Sequence, residues 1–563
     1  MKSLLVVSGS DDRNLLDIHS LAEEYQQYRY EQAPTWAHLT GEYSQAGHYE
    51  DVSRAAEDRF IARSKDFAMR AQALPVDELS EQEQISRAML EWDAASRAAL
   101  SELRMAEFSA NPIFGVQASL GTVLPKLGIP DAEVAAAMPA KLEAVAQHFL
   151  DLTDRHREGL DTGRTPASFA VSQVVDQLEE WLASPVETDT LLDIAPTPED
   201  VDRAALLDEL KVVVDERVRP AVAEYLKLLR DEVTSKARPD EKCGLAHLPD
   251  GEQAYATLTR YYTTTDLSPQ QIHDIGLAQV ESLAQEYAEL GPSVVASSDV
   301  PTILAALRDD PSLHHTNGED VVEASKTAMA KARAAMTEWF GRLPKSGCDV
   351  EATTSGAKAY YFRPAKDGSR GGIFFMNVSE PEAWGLFDIE STAYHEGIPG
   401  HHLQIAIAAE LDDIPEFRKT GFVTAYGEGW GLYTERLADE MGLYGGALDR
   451  IGMLAGDSMR ACRLVVDTGM HALGWSRQRA IDYLHANSPM QLSHVEAEID
   501  RYAVTPGQAL SYMIGRLEIL RMRADAMQRQ GDRFDIKAFH DAVLDSGAMP
   551  LSLLEKQVAA RLP

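Results

Sequence analysis

The chain has 563 residues, 45% of them hydrophobic, and a formal net charge of −36 at pH 7. A chain of this length and composition can bury one very large core or two to four smaller ones. Its strong negative charge argues against nucleic acid or an anionic membrane as a general partner, because both bind basic surfaces. We therefore expect no nucleic-acid partner and no membrane partner.

The cysteines and the N-terminus bear on the cellular compartment. Cys243, Cys348 and Cys462 are too scattered for a disulfide framework or a cysteine-based zinc knuckle, which predicts reduced thiols. The apolar run at residues 4–7 is too short for the core of a signal peptide, and no stretch approaches the length of a membrane span. A cytoplasmic location follows by default, and the oligomeric state is left open between monomer and homodimer.

Apolar residues recur at three-to-four spacing along most of the chain, which predicts a mainly α-helical protein. Asp131, Pro198 and Ser268 stand where helices are expected to begin, because their side chains or fixed backbone angles suit a first turn. The predicted helices cover residues 50–72, 82–109, 131–160, 198–234, 268–291, 319–342, 386–411, 427–441, 450–474 and 514–531.

One segment departs from the helical pattern. Residues 359–363 and 372–378 are rich in aromatic and β-branched side chains, and residues 366–370 between them are typical of a turn. This arrangement predicts a β-hairpin directly before the helix that begins near residue 386.

Two junctions, at residues 238–252 and 343–356, interrupt the helical pattern without forming a long linker. They favour a division near residue 245 into an N-terminal helical half, 1-245, and a C-terminal catalytic half, 246-563. A single continuous domain is the alternative.

Residues 395–402 read His-Glu-Gly-Ile-Pro-Gly-His-His, and they hold three of the chain's sixteen histidines. In the HExxH arrangement, two histidines four residues apart bind zinc from one face of a helix, and the glutamate polarises the attacking water. Here the second histidine comes later, so His401 would lie about 9 Å along a straight helix from His395 and on another face. His402 would return to the same face about 10 Å away.

Pro399 and Gly400 offer a way to bring the histidines together. Proline has no N–H for the carbonyl of His395, and its ring crowds that carbonyl, so the helix is expected to open there. A bulge over residues 397–400 could then return His401 towards His395. The alternative is a helix end followed by a turn with two surface histidines.

A third zinc ligand is expected from elsewhere, since catalytic zinc keeps three protein ligands and one open position. Glu428 is the best candidate, because the glycines beside it would let its helix approach the histidines closely. Glu435, two turns later and next to Arg436, is interpreted as an ion-pair partner or a support for the metal ligands. Without the histidines, Glu428 would be interpreted as a solvated side chain in a helix's first turn.

The C-terminal region offers groups that could position a substrate. Tyr502 and Tyr512 could donate neutral hydrogen bonds to a developing oxyanion, and Arg501 and Arg516 could hold a carboxylate. His471 could be an auxiliary donor. The alternative is that these side chains are ordinary core or rim residues.

A set of segments together resembles the bacterial family named only as domain of unknown function 885. That family is similar in fold to carboxypeptidase Taq-type zinc metallopeptidases of the gluzincin kind. The resemblance implies a large, multi-helix, cleft-shaped molecule with a small sheet along the cleft. The segments are residues 372–377, 394–404, 427–430, 467–471 and 506–515.

The resemblance favours His401 over His402, because residues 400–403 match the Gly-His-x-Leu of those peptidases. It implies Glu396 as the general base, Glu428 as a ligand on the following helix, and peptide pairing near Asn377 at the sheet edge. Tyr502, Tyr512 and His471 correspond to the catalytic donors of the relatives.

The sequence thus predicts a peptidase that uses one zinc ion per chain, held by His395, His401 and Glu428, with Glu396 as the base. Its expected substrates are short or unstructured peptides, cut as a carboxypeptidase or an oligopeptidase. Two alternatives stay open, a zinc hydrolase of a non-peptide amide or ester and an inactive helical peptide-binding protein.

Overall fold

A computed structural model describes residues 17–366, 368–412 and 414–563. The apolar run at residues 4–7 and one residue of the predicted turn, Asp367, lie outside the described residues. The structure is 70% helical with one small sheet, which confirms the predicted mainly α fold. None of the described helices is both long enough and apolar enough to cross a membrane.

The helices are labelled in chain order. The first ten are α1 (Ile18–Gln32), α2 (Pro34–Leu39), α3 (Arg54–Gln72), α4 (Glu81–Glu102), α5 (Val116–Val123), α6 (Ala132–Thr162), α7 (Ser168–Ala183), α8 (Arg203–Val213), α9 (Arg219–Leu228) and α10 (Gly251–Thr263). The next thirteen are α11 (Pro269–Val294), α12 (Val300–Asp309), α13 (Gly318–Trp339), α14 (Asp388–Glu396), α15 (His401–Ala409), α16 (Glu416–Thr420), α17 (Thr424–Glu440), α18 (Ala447–His471), α19 (Arg477–Ala486), α20 (Leu492–Val504), α21 (Ser511–Gln530), α22 (Ile536–Leu544) and α23 (Leu551–Arg561).

Side-chain caps explain where several long helices begin. Asp131 accepts a hydrogen bond from the backbone N–H of Val134 at the start of α6, as its position predicts. Ser268 and Gln271 form a capping box at the start of α11. The helix expected from Pro198 begins later, at α8, because the side chain of Asp202 supplies the cap.

A three-stranded sheet has the order β1-β3-β2, with β1 at Cys348–Thr353, β2 at Ala359–Phe362 and β3 at Gly372–Asn377. The predicted hairpin is confirmed, because β2 pairs antiparallel with β3. Strand β1 pairs parallel with β3, and it lies where the sequence predicts only a junction. Its alternation of buried Cys348 and Val350 with two acidic residues is too short to show clearly in the sequence.

The core around α14 and α17 draws residues from both ends of the chain. Tyr25 and Phe67 belong to the same buried cluster as Tyr394, Trp430 and Phe539. The predicted division near residue 245 stays a prediction about independent folding. All three cysteines are free and buried, as expected for reduced core thiols.

Candidate metal centre

The helix carrying His395 is interrupted between Gly397 and Gly400, at the residues where the sequence predicts a break. Helix α14 ends at Glu396 and α15 begins at His401. Gly397 and Gly400 have ψ values of −118° and −127°, far from a helix. The backbone N–H of His402 donates to the carbonyl of Gly397 at 3.0 Å, which ties the second helix back to the end of the first.

The interruption brings the side chains of His395 and His401 together. Their ring centroids are 4.8 Å apart. Nε2 of His395 lies 3.6 Å from Oε2 of Glu428, and Nε2 of His401 lies 3.4 Å from the same oxygen. One donor atom from each of the three residues falls within 4.8 Å of the others.

These separations fit a zinc ion. Four-coordinate zinc with bonds of about 2.0–2.1 Å places neighbouring donor atoms about 3.4 Å apart. Two of the three separations are within 0.2 Å of that value, at 3.4 and 3.6 Å. Two imidazoles and one carboxylate also form a donor set typical of catalytic zinc. The residues therefore fit the metal, and their role as ligands stays a prediction.

His402 points away from this cluster. Its Nδ1 lies 3.0 Å from the hydroxyl of Tyr361 on β2, and its Nε2 lies 3.0 Å from the carbonyl of Ser346. With both ring nitrogens engaged between β2 and the segment before β1, His402 anchors α15 to the sheet. The geometry thus agrees with the family resemblance, which favours His401 over His402.

Glycines on α17 allow Glu428 to come this close. A Cβ atom on Gly431 would lie 2.7 Å from Cε1 of His395, and one on Gly429 would lie 2.5 Å from the Cα of Gly515 on α21. Both distances are shorter than side chains tolerate. Helix α17 therefore packs directly against His395 on one side and against the backbone of α21 on the other, and this packing fixes the position of Glu428.

Replacing Gly431 with alanine is expected to weaken zinc binding by about 10- to 100-fold, because the new methyl group pushes the His395 ring from its place. Overpacking of this kind also costs about 1–3 kcal/mol of unfolding free energy. Zinc titration with a competing chelator measures the affinity. Gly347→Ala is the control, since its Cβ would meet no atom within 4 Å. Equal zinc affinity in both variants would contradict the close packing.

The carboxylate of Glu435 contacts Nδ1, the other ring nitrogen of His395. Nδ1 of His395 lies 2.7 Å from Oε1 of Glu435, whose side chain is 2% exposed. Burial lowers the pKa of His395, but the carboxylates of Glu428 and Glu435 outweigh burial and raise the pKa to about 9. A carboxylate in this position orients the imidazole and makes its Nε2 a better ligand. Glu435 thus takes the supporting role that the sequence allows for it.

The pKa of Glu428 is shifted in the opposite direction from that of His395. Burial raises the pKa of Glu428, but His395 and His401 outweigh burial and hold the pKa well below its usual range. Glu428 is therefore ionised, as a zinc ligand must be.

Glu396 is the last residue of α14 and is half-buried. Its carboxylate forms no hydrogen bond or ion pair with another described residue. Glu396 follows His395 directly in the chain, and its charge contributes to raising the pKa of His395, so the two side chains are close enough to interact. This placement suits the predicted general base.

The two candidate tyrosines differ in their surroundings. The ring of Tyr512 stacks on His395 with centroids 6.3 Å apart. Burial, with a smaller contribution from Glu428, raises the pKa of Tyr512, so its hydroxyl keeps its proton at neutral pH. Tyr502 is fully buried. Its hydroxyl donates a hydrogen bond to the carboxylate of Glu498 and accepts one from Nε of Arg463 at 2.6 Å. Tyr512 can serve the site, whereas the structure contradicts the donor role predicted for Tyr502.

The predicted donor role of His471 is also wrong. Its Nδ1 accepts a hydrogen bond from the backbone N–H of Leu245 at 3.1 Å, and its Nε2 donates to the carbonyl of Tyr502 at 3.1 Å. Both ring nitrogens are therefore used by the backbone. Burial lowers the pKa of His471 to about 3, so this buried histidine is neutral and structural.

Acid is expected to destabilise the protein through His471. In the unfolded chain His471 takes up a proton near pH 6.5, whereas in the folded protein it stays neutral down to about pH 3. The free energy of unfolding is therefore highest above pH 6.5 and falls as the pH decreases. Between pH 7 and pH 5 it should fall by about 2 kcal/mol. Urea unfolding at these pH values measures it. His471→Gln should reduce the loss by about this amount, and exposed His48→Gln should leave it unchanged. Equal losses in wild type and His471→Gln would contradict the assignment.

The substrate-binding residues predicted from the sequence are occupied by other contacts. Arg516 is buried in an ion pair with Asp457, which Arg436 also binds. Arg501 binds both oxygens of Glu498, at 3.1 and 2.9 Å, and donates its remaining arm to Gln508. These interactions use the donors that a substrate carboxylate would need, so the structure contradicts a binding role for both arginines.

Asn377 lies at the end of β3, which is the central strand of the sheet and not an edge strand. It pairs with Thr353 of β1, and its backbone N–H donates to the carbonyl of Lys358 at 2.9 Å. Its side chain donates to the carbonyl of Gly356 at 3.1 Å and accepts from Ser379. The predicted pairing of a peptide with a sheet edge at Asn377 is therefore wrong.

Sequence reasoning missed two arginines next to the site, Arg460 and Arg463 on α18. Their Cζ atoms lie 6.0 and 4.6 Å from the ring centroid of Tyr512. Their spacing of three residues puts them on one helix face, which the sequence could have shown. The packing of that face against Tyr512 could not be foreseen.

Comparison with known proteins shows the family of the chain. The family model described as "Bacterial protein of unknown function (DUF885)" matches residues 34–558. The chain belongs to the DUF885 family. No curated protein sequence matches the chain.

Two solved structures share the fold of this DUF885 protein. A "putative lipoprotein" from Colwellia psychrerythraea is 24% identical, with a TM-score of 0.88 over 97% of this chain and 98% of its own. A "putative lipoprotein of unknown function" from Shewanella oneidensis is 19% identical, with a TM-score of 0.75 over 96% of this chain and 100% of its own. At these identities the likeness establishes the fold alone.

The names of these two structures contradict the expected cytoplasmic location, because a lipoprotein is held at a membrane by its lipid. The default inference was wrong because it rested on absences, a short apolar run and no membrane span, and absences do not determine a compartment.

Proposed function

We propose that this protein is a zinc-dependent peptidase that hydrolyses short or unstructured peptides. One observation carries the proposal: the helix break brings His401 to His395, so that both Nε2 atoms lie within 3.6 Å of the same oxygen of Glu428. Two histidines and a glutamate at such distances suit a zinc ion, and Glu396, which follows His395 in the chain, is a residue type suited to the base of a zinc hydrolase.

His395, His401 and Glu428 would hold the ion, and Glu435 would orient His395 from behind. A zinc ion held there supplies Lewis-acid chemistry, which activates water and polarises an amide carbonyl. Three protein ligands leave one position open for water or substrate.

The side chains of Glu396 and Tyr512 then transfer the proton and stabilise the negative charge. Glu396 accepts the proton of the attacking water at its carboxylate and passes it to the leaving amine. The hydroxyl of Tyr512, which keeps its proton, donates a hydrogen bond to the oxygen that becomes negative during the attack. The ring of Tyr512 stacks on His395, and the charge of Glu396 acts on the same imidazole.

Incubation of the purified protein with a mixture of short peptides tests the proposal. We expect cleavage that a chelator removes and that one equivalent of zinc restores. Hydrolysis of esters or non-peptide amides without any peptide cleavage would assign another substrate class. No zinc bound at any concentration would overturn the proposal and favour a binding protein.

A further inference from the structure

A cluster of arginines lies beside the metal centre in a protein whose net charge is −36. Arg460 and Arg463 of α18 face the ring of Tyr512, and Arg501 of α20 lies over the ring of Tyr502 at 4.8 Å. The carboxylates that contact these three guanidinium groups in the described residues are Glu435 and Glu498. Three positive charges therefore share two negative ones.

Arg463 and Arg501 share one carboxylate. Arg501 contacts both oxygens of Glu498, and Arg463 contacts one of them, at 3.0 Å. The hydroxyl of Tyr502 donates to the same oxygen of Glu498 as Arg463, so this single carboxylate serves two guanidinium groups and a hydroxyl. The carboxylate of Glu435 is shared in the same way, since it holds His395 at 2.7 Å and contacts Arg460 only at 3.6 Å.

Two N–H groups in this cluster lack a partner. Nη1 of Arg463 and Nε of Arg460 are buried, and neither forms a hydrogen bond to any described residue. The Arg463 residue is only 6% exposed, and a buried charged donor without a partner destabilises the folded protein. Such donors on charged groups fit an anionic ligand that completes their hydrogen bonds.

The position of the cluster limits what this ligand can be. Cζ of Arg463 lies 4.6 Å from the Tyr512 ring, and that ring lies 6.3 Å from the ring of His395. The guanidinium carbon of Arg463 is therefore at most about 11 Å from the ring centre of His395. This distance is about the length of three extended residues. Tyr512 and Arg460 are partly exposed, so this face of α18 borders solvent.

We propose that Arg463, with Arg460 beside it, binds the terminal carboxylate of a short peptide whose amide bond lies at the metal centre. This assignment rests on the proposed peptidase function and makes the enzyme a carboxypeptidase that acts near the free C-terminus. It replaces Arg501 and Arg516 in the role that the sequence predicts for them. Arg463 is a binding residue in this proposal, and its carboxylate contact sets which bond is presented to the metal centre.

Calorimetric titration of protein stripped of metal separates this inference from the peptidase proposal. The probes are N-acetyl-Ala-Ala with a free carboxylate and the same compound as its amide. We expect the acid to bind at least tenfold more tightly than the amide, and we expect Arg463→Gln to reduce that ratio to below about twofold. Arg450→Gln is the matched control, because it removes an arginine from the exposed end of the same helix and should keep the ratio of the wild type.

Equal binding of acid and amide by the wild type, no binding of either, or a preference that persists in Arg463→Gln would each overturn the inference. The ratio is not moved by a merely structural loss, which would weaken both probes together. Hydrolysis is measured separately with zinc-loaded protein. A clear acid preference without any peptide cleavage would remove the peptidase proposal and leave the carboxylate site standing.

Discussion

Replacing His401 with alanine is expected to remove zinc from the protein, while replacing the adjacent His402 with alanine leaves it in place. His401 contributes one of the three donor atoms, whereas the two ring nitrogens of His402 bind the hydroxyl of Tyr361 and the carbonyl of Ser346. Structural zinc sites bind with about 10–16 kcal/mol, so the loss of one ligand should cost about 3–5 kcal/mol, or roughly a thousandfold in affinity. Elemental analysis after dialysis against a competing chelator measures the zinc content.

The pair of variants controls for folding, because both histidines are buried. His402→Ala removes two hydrogen bonds to the sheet segment and should lower the stability more than it lowers zinc affinity. Zinc lost from His402→Ala and retained by His401→Ala would reverse the assignment of the second ligand.

Replacing Glu396 with glutamine is expected to keep zinc near one equivalent and to lower kcat by about 10²- to 10⁴-fold. The amide fills the same space as the carboxylate but cannot accept the proton of water, and general-base catalysis contributes about this factor. Peptide hydrolysis by zinc-loaded protein measures kcat, and metal analysis of the same sample measures the zinc content.

Glu390→Gln is the matched control for this variant. Glu390 lies six residues earlier on α14, and its carboxylate binds Lys331 and the backbone N–H of Gly445 away from the three ligands. It should keep the kcat of the wild type. An active Glu396→Gln protein would remove Glu396 from the role of base, and a zinc-free one would show that its loss disturbs the ligands themselves.

Local chemistry along the chain was enough to predict much of the fold. Helices such as α6 and α11 follow from their apolar period and from caps at Asp131 and Ser268, all of which act within a few residues. Strand β1 was missed because it is six residues long and owes its stability to β3, a partner more than twenty residues away.

The cluster of His395, His401 and Glu428 was predictable for a similar reason. The clash between Pro399 and the carbonyl of His395 is a local effect, so the break could be located from the sequence. Glu428 could be chosen because flanking glycines permit a close helix approach, although which glycine meets which helix depends on packing. Gly431 meets His395, whereas Gly429 meets α21.

The residues around the metal centre were predicted less well, because their roles depend on partners that are distant in sequence. Tyr502 and Tyr512 look alike in the sequence, yet one is tied to Glu498 and the other stacks on His395. Arg516 could not be separated from Arg463 without knowing that Asp457 lies against the first. Only the tertiary structure shows which of these hydrogen-bond donors already has a partner.

The most direct test of the zinc site is a crystal structure of the protein soaked in zinc, with anomalous diffraction measured on both sides of the zinc absorption edge. We expect one strong zinc peak within about 2.0–2.2 Å of Nε2 of His395, Nε2 of His401 and a carboxylate oxygen of Glu428. No zinc peak at these three residues, or a peak bound by His402 in place of His401, would contradict the account.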